Sequence, residues 1–126
     1  MHQTKQTLLC SGFAALEAAF AILDRWECTP TEQAALLGID TSALAKYQRP
    51  PRASVLPVDL LERVSCLLSI HAALRLLFSS DESINGWVRR PNSAPFYGGR
   101  SALDVMLGGR VSDLYYVARR LLAEVG

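Results

Sequence analysis

Apolar residues along this chain recur at spacings of three and four and almost never alternate with polar ones, a pattern that predicts helices rather than strands. Leu9, Phe13, Leu16, Phe20 and Leu23 place one apolar face on a first helix with alanine-rich flanks. Thr29-Pro30-Thr31-Glu32 then combines a capping residue with proline at the first helical position and starts a short helix containing Leu36 and Leu37, which stops at Gly38. A cap at Thr41 or Ser42 opens a second short helix with Leu44 and Tyr47, ended by Pro50-Pro51. The segment from Pro50 to Pro57 reads as a linker.

Beyond it, Leu60, Val64, Leu67, His71, Leu74 and Phe78 share one face of a long helix, and Leu61, Leu68 and Leu77 widen that face. So apolar a helix belongs at the centre of the molecule. Ser79-Ser80-Asp81-Glu82 starts a further helix carrying Ile84, Trp87 and Val88. The loop from Pro91 to Gly99 holds Phe96 and Tyr97, and paired glycines at its end mark a tight turn. Ser101, with Asp104 three residues on, reads as the next cap. A last helix turns Val111, Leu114, Ala118, Leu121 and Val125 inward. The expectation is an all-α chain, with a helix-turn-helix region over residues 1–57 packed on a C-terminal helical domain over 58–126.

Composition adds mostly exclusions. Half of the 126 residues are apolar, which supports a true core. The net charge of +1 gives no global attraction to nucleic acid or anionic membrane. No apolar run reaches the roughly 18 residues of a membrane span, and no signal-peptide pattern follows Met1, so a cytoplasmic protein is expected. Cys10, Cys28 and Cys66 are odd in number and far apart, which fits reduced thiols better than a disulfide framework or a metal site. His2 lies at the terminus and His71 on an apolar helix face, where a satisfied structural histidine is more common than a catalyst. With no nucleophile–base pair and no metal shell, neither catalytic nor metal-binding residues are assigned, and no cofactor is expected.

Two regions carry binding chemistry. Residues Pro30 to Gln48 have the layout of a helix-turn-helix, with Gly38-Ile39-Asp40 as the turn. Its second helix and exit carry Thr41, Ser42, Lys46, Gln48, Arg49 and Arg52, side chains able to meet bases or phosphates. The same pattern fits an ordinary helical hairpin, and Asp24, Glu27, Glu32, Asp40, Asp59 and Glu62 offset the surrounding bases, so phosphate attraction has to be local. In the second half, Arg89 and Arg90 stand beside Trp87 and precede Phe96 and Tyr97. Tyr115, Tyr116, Arg119 and Arg120 fall off the inward face of the last helix. Tyr, Trp and Arg are the types enriched at binding hot spots. The competing reading makes Trp87, Phe96 and Tyr97 a local core with solvated arginines around it, and the apolar face that Trp87 continues favours the core for that residue.

An ordered set of short motifs runs through the second half: Glu62-Arg63, Leu76-Leu77-Phe78, Trp87, Pro91-Asn92, Gly98-Gly99-Arg100-Ser101, Leu103-Asp104, Gly108-Gly109 and the Leu-rich helix to Gly126. In this order the segment resembles the toxin-binding domain of the Xre/MbcA/ParS antitoxins, and the first half resembles their Xre-like helical region. Ala102 stands where that family commonly has proline after the cap. The resemblance implies an antitoxin of a type II toxin–antitoxin pair. Its partner would typically be a toxin of RES type that consumes NAD, or a relative that transfers ADP-ribose, blocked by the C-terminal domain, so that cofactor chemistry belongs to the partner. Arg100, inside the motif itself, joins Arg89, Arg90, Phe96, Tyr97, Tyr115, Tyr116, Arg119 and Arg120 as an expected toxin-binding residue. Operator DNA is a possible second partner. A homodimer is expected from the surplus of apolar helix faces, together with a toxin–antitoxin hetero-oligomer. The alternative is a stand-alone homodimeric helix-turn-helix regulator that uses its C-terminal helices to dimerise.

Overall fold

A computed structural model describes residues 2–49 and 55–126, with side chains from residue 12 onward in the first helix. Among the described residues seven α-helices follow in order: α1 His2–Arg25, α2 Pro30–Leu37, α3 Thr41–Gln48, α4 Val58–Leu77, α5 Asp81–Gly86, α6 Ala102–Met106 and α7 Val111–Val125, with a 3-10 turn at Trp87–Arg89 between α5 and α6. Among the described residues there is no strand, only an isolated antiparallel bridge between Pro91 and Ser101 that closes the aromatic loop. The all-α expectation holds. The side chains of Leu9 and Cys10, and residues Pro50, Pro51 and Arg52, lie outside the described residues.

Helix α4 is the centre. It packs most extensively against α7 and α1, and also meets α2 and α5. Leu60, Val64, Leu67, Ile70, Ala73 and Leu74 of α4 are buried, against Leu16, Ala19, Ile22, Leu23 and Trp26 of α1 and Leu114, Val117, Ala118 and Leu121 of α7. The face differs in one respect from the expected row. Its buried side swings toward Ile70 and Ala73 near the end of the helix, so His71 and Phe78 end up half-buried at its edge. In α7, Val117 joins the core, whereas Val125, expected inward, is 38% exposed on the last turn.

The helix starts follow their local signals. Thr29 and Glu32 form a reciprocal capping box around Pro30. Ser80 Oγ accepts from the Ser83 N–H, and Ser101 Oγ from the Asp104 N–H. Gly38 ends α2 in the left-handed region at φ 69°, a conformation that favours glycine. The start of α3 corrects the expectation: its cap is Asp40, whose carboxylate accepts from the Ala43 N–H at 2.7 Å, so Thr41 and Ser42 are the first two helical residues. The expected helix through Val88 is also split. After Gly86 the backbone tightens into the 3-10 turn, which buries Val88 completely.

Candidate functional site

The two binding sets predicted in the second half meet through Phe96, which brings part of the loop set onto the outward face of α7. Phe96 meets Tyr97 edge-on at 4.9 Å between ring centroids and lies tilted against Tyr116 at 6.0 Å. Trp87 meets Tyr97 at 6.2 Å, and Tyr115 meets Tyr116 at 6.3 Å. Both arginines of α7 join this array: the Arg120 guanidinium carbon stands 4.4 Å from the Phe96 ring centroid, and that of Arg119 is 5.7 Å from the Tyr115 centroid. Stacked guanidiniums of this kind are pre-oriented and lose little freedom when a partner docks. Tyr115 and Tyr116 are 51% and 52% exposed, and Leu122 on the following turn is also exposed.

The surface sits there because α7 is strongly two-sided. Leu114, Val117, Ala118 and Leu121 hold one side against α4, so residues 115, 116, 119 and 120 must face away. Ser101 and α6 anchor the loop, the Gly99 N–H donates to the Asn92 carbonyl while the Asn92 N–H donates to the Arg100 carbonyl, and Gly98 and Gly99 both take positive φ, which lets the chain turn sharply.

Two residues of the expected set do other work. Tyr97 is only 3% exposed: its ring forms the floor beneath Phe96 and Trp87, and burial raises its phenol above the ordinary range. Arg89 Nε donates to the Trp26 carbonyl at 2.7 Å, and its Nη2 donates to the Glu27 carbonyl at 2.9 Å and reaches Glu32 at 3.4 Å. Glu27 is the one non-glycine residue with positive φ among those described, at 59°. Arg89 therefore clasps the strained elbow between α1 and α2. Arg90 is exposed, and Arg100, also exposed, donates from Nε back to the Tyr97 carbonyl at 3.3 Å.

The helix-turn-helix set is laid out as a second surface. Thr41, Ser42, Lys46, Gln48 and Arg49 are all exposed, while Leu44 alone in α3 is buried and anchors it. Arg52 lies outside the described residues. Because Asp40 already caps α3 with a carboxylate, the N-terminus of this helix is occupied by its own anion, and Lys46 and Arg49 near the other end carry the positive charge.

The sequence pattern missed a buried charge that lies between these surfaces. Arg63 of α4 is buried, and its Nη2 donates to the Gly109 carbonyl at 2.9 Å while its Nε reaches Asp59 at 3.4 Å. Its guanidinium lies against Gly38: a Cβ there would fall 2.5 Å from Arg63 Nε. One side chain thus touches the turn of the helix-turn-helix and the turn that launches α7. Asp113, also buried, binds Arg110 at 3.2 Å at the start of α7. In the sequence Arg63 shows as part of the Glu62-Arg63 motif and as a charged residue inside the apolar row of α4, and neither sign reveals its burial.

Cys28 and Cys66 are free thiols. Burial above all, then the Glu32 carboxylate, pushes the Cys28 thiol up to about 11, which keeps it protonated and unreactive near neutral pH. No group of metal-binding side chains is found among the described residues, and none of the described helices is long and apolar enough to cross a membrane.

Comparison with known proteins now separates the two surfaces by domain. Residues 12–69 match the antitoxin Xre-like helix-turn-helix domain, and residues 73–124 match the antitoxin Xre/MbcA/ParS C-terminal toxin-binding domain. The chain is also similar to the uncharacterized protein y4oB of Sinorhizobium fredii (strain NBRC 101917 / NGR234), with 46% identity over 114 residues, 90% of this chain and 85% of that protein. With α2–α3 inside the first domain and the aromatic–arginine face inside the second, the chain belongs to the Xre/MbcA/ParS family of antitoxins, built from a helix-turn-helix domain and a toxin-binding domain.

Proposed function

We propose that this protein is a cytoplasmic antitoxin that blocks a RES-type toxin acting on NAD, by seating the outward face of α7 and the Phe96 loop over the toxin's active-site cleft. The observation that carries this reading is the exposed Tyr115–Tyr116–Arg119–Arg120 face inside the toxin-binding domain, since aromatic and arginine side chains on a rigid helix dominate binding energy. Guanidiniums also pair with the carboxylates and phosphates of a nucleotide-handling site. On this reading the antitoxin contributes no catalytic group, and the NAD chemistry is the toxin's. The toxin-facing work belongs to residues 58–126, with Arg90 and Arg100 at its margin.

Residues 1–57 contact the operator, with Thr41, Ser42 and Gln48 toward bases and Lys46, Arg49 and Arg52 toward phosphates. The exposure of this whole set on α3 and its exit, as far as it is described, supports that assignment. The free protein forms a homodimer, which the exposed apolar residues Val58 and Leu76 support and light scattering tests. The deciding experiment for the main reading is co-expression with the neighbouring reading frame, followed by pull-down and an assay of NAD loss. Capture of a RES-type protein whose NAD consumption stops in the complex is the expected result. A captured partner with no effect on NAD overturns it.

A further inference from the structure

A cavity of about 500 Å3 lies where the C-terminal ends of α1 and α4 meet α5. Its volume is that of a small-molecule site, and it lies on the seam between the two domains, where such sites concentrate. Neither binding surface described above uses it. Arg25 from α1 and Arg75 from α4 both line it, and neither forms an ion pair with a described residue. Each stands in the last turn of its helix, where a cation offsets the helix dipole. That accounts for a positive charge at each end, but not for two guanidiniums sharing one cavity.

The rest of the lining is equally specific. His71 is held below its ordinary range, first by burial and then by Arg25 and Arg75, so near pH 7 it is a neutral hydrogen-bonding group. Its Nδ1 and the Oδ1 of Asn85, another lining residue, are enclosed with no hydrogen-bond partner. Enclosed polar atoms ordinarily find a partner in protein, water or ligand. Phe78 and Ile84 supply an apolar wall, and Asp81 is the acid among the described lining residues.

We infer that this cavity binds a small phosphate monoester carried on a neutral, partly apolar body, of the nucleoside monophosphate class. The two guanidiniums select the head group. One arginine fork saturates a carboxylate, whereas a phosphate has oxygens for two forks. The volume selects the body, because a bare phosphate leaves most of the space unfilled. Phe78 offers a ring face to stack on, while Asn85 Oδ1 and the Asp81 carboxylate accept from ligand hydroxyls or amines. Asp81 also opposes additional negative charge, which favours a monophosphate over a polyphosphate.

The inference does not depend on toxin or operator binding, and it is tested on the full chain alone. Adenosine monophosphate, adenosine and inorganic phosphate would each be titrated by calorimetry, with the His71 imidazole followed by NMR. Adenosine monophosphate should saturate at sub-millimolar concentration, shift the His71 signals and raise the melting temperature. Phosphate should bind about tenfold more weakly, and adenosine should show no saturation. R25A and R75A, at exposed helix ends that leave the fold intact, should each weaken adenosine monophosphate by about tenfold, the loss expected for one charge-assisted contact. D81N should improve binding of adenosine diphosphate. Absence of saturation by adenosine monophosphate, equal binding of adenosine or of phosphate, or unchanged affinity in folded R25A and R75A would each overturn the inference.

Discussion

Helices α3 and α7 both hold one side to the core and turn the other outward, but their outward sides are chemically opposite. In α3 and its exit the exposed residues are small hydroxyls, one amide and the two cations Lys46 and Arg49, with no large apolar group among them. In α7 the outward side carries two tyrosines and a leucine, each about half exposed, and two arginines stacked on aromatic rings. Water is a good solvent for the first side and a poor one for the second. A surface like that of α3 gains little from desolvation and works through hydrogen bonds and salt-sensitive contacts, as nucleic-acid readers do. A surface like that of α7 gains by being covered, as protein interfaces do.

The comparison is broken most directly on α7. Replacing Arg119 and Arg120 together by alanine should weaken toxin binding by about 2 kcal/mol or more for each arginine that sits centrally in the interface. Calorimetry with the purified toxin reads the loss, and unchanged circular dichroism shows that the core side of α7 still holds. Operator affinity should not move. A folded double variant that still binds and protects fully would pass the blocking role to Arg90 and the Phe96 loop.

The two surfaces share one buried side chain, so the next largest effect lies between them. G38A puts an L residue into left-handed backbone, at a cost of roughly 1–3 kcal/mol, and drives a Cβ to 2.5 Å from Arg63 Nε. Urea unfolding should therefore show a loss near the top of that range. Removing the collision partner as well, in G38A/R63A, should destabilise less than the sum of the two single changes, because the contact that G38A disrupts is already gone. Strict additivity would mean that Arg63 yields freely and does not link the two turns.

How much of this was legible in the sequence depends on distance along the chain. The helix start at Thr29-Pro30, the Gly38 turn, the start of α5 within Ser79–Glu82 and the Ser101 cap were legible, because each is decided within a few residues, whereas the reciprocal Thr29–Glu32 box and the choice of Ser80 came from the structure. The outward placement of Tyr115, Tyr116, Arg119 and Arg120 followed from helical spacing alone. The cap of α3 was misplaced by one or two residues because Asp40, Thr41 and Ser42 are all competent and only backbone geometry chooses among them. Arg89 was expected at the toxin interface and Arg63 stood only as part of a motif, and the structural role of neither was legible. Their partners lie 63 and 46 residues away, and a charged residue that spends its donors on distant backbone carbonyls looks, in sequence, like any solvated one. Tyr97 illustrates the limit of composition: an aromatic beside an interface was indistinguishable from an aromatic supporting it until its 3% exposure was known.

On α3 the expected effect is smaller and of a different kind. K46A and R49A should each weaken operator binding across sequences, and each should flatten the plot of log affinity against log salt by about one unit, the signature of a lost phosphate contact. Mobility shifts at several salt concentrations read this directly. T41A or S42A should instead change the ranking of operator variants while leaving the salt slope intact. If all four substitutions act alike, α3 is not oriented as a recognition helix.

The smallest effect tests whether the elbow that positions the helix-turn-helix is held electrostatically. Glu32 is held below its ordinary value of 4.5, chiefly because its carboxylate accepts from the Thr29 backbone N–H, with Arg89 adding a weaker pull. A carboxyl depressed in the folded state contributes stability that is fully present above its unfolded-state value and is lost as pH falls through the folded one. The elbow should therefore be indifferent to pH near neutrality and weaken only on the acid side of the ordinary glutamate range. In urea unfolding followed across that range, the wild-type chain should lose slightly more stability on acidification than E32Q, whose neutral amide still reaches the Thr29 N–H but has no charge to titrate. The difference should shrink in R89A, where part of the depression is gone, and should not vanish, because the Thr29 bond remains. Identical acid profiles for wild type and E32Q would show that the capping box acts through geometry alone and that Arg89 holds the elbow by its two carbonyl contacts rather than by charge.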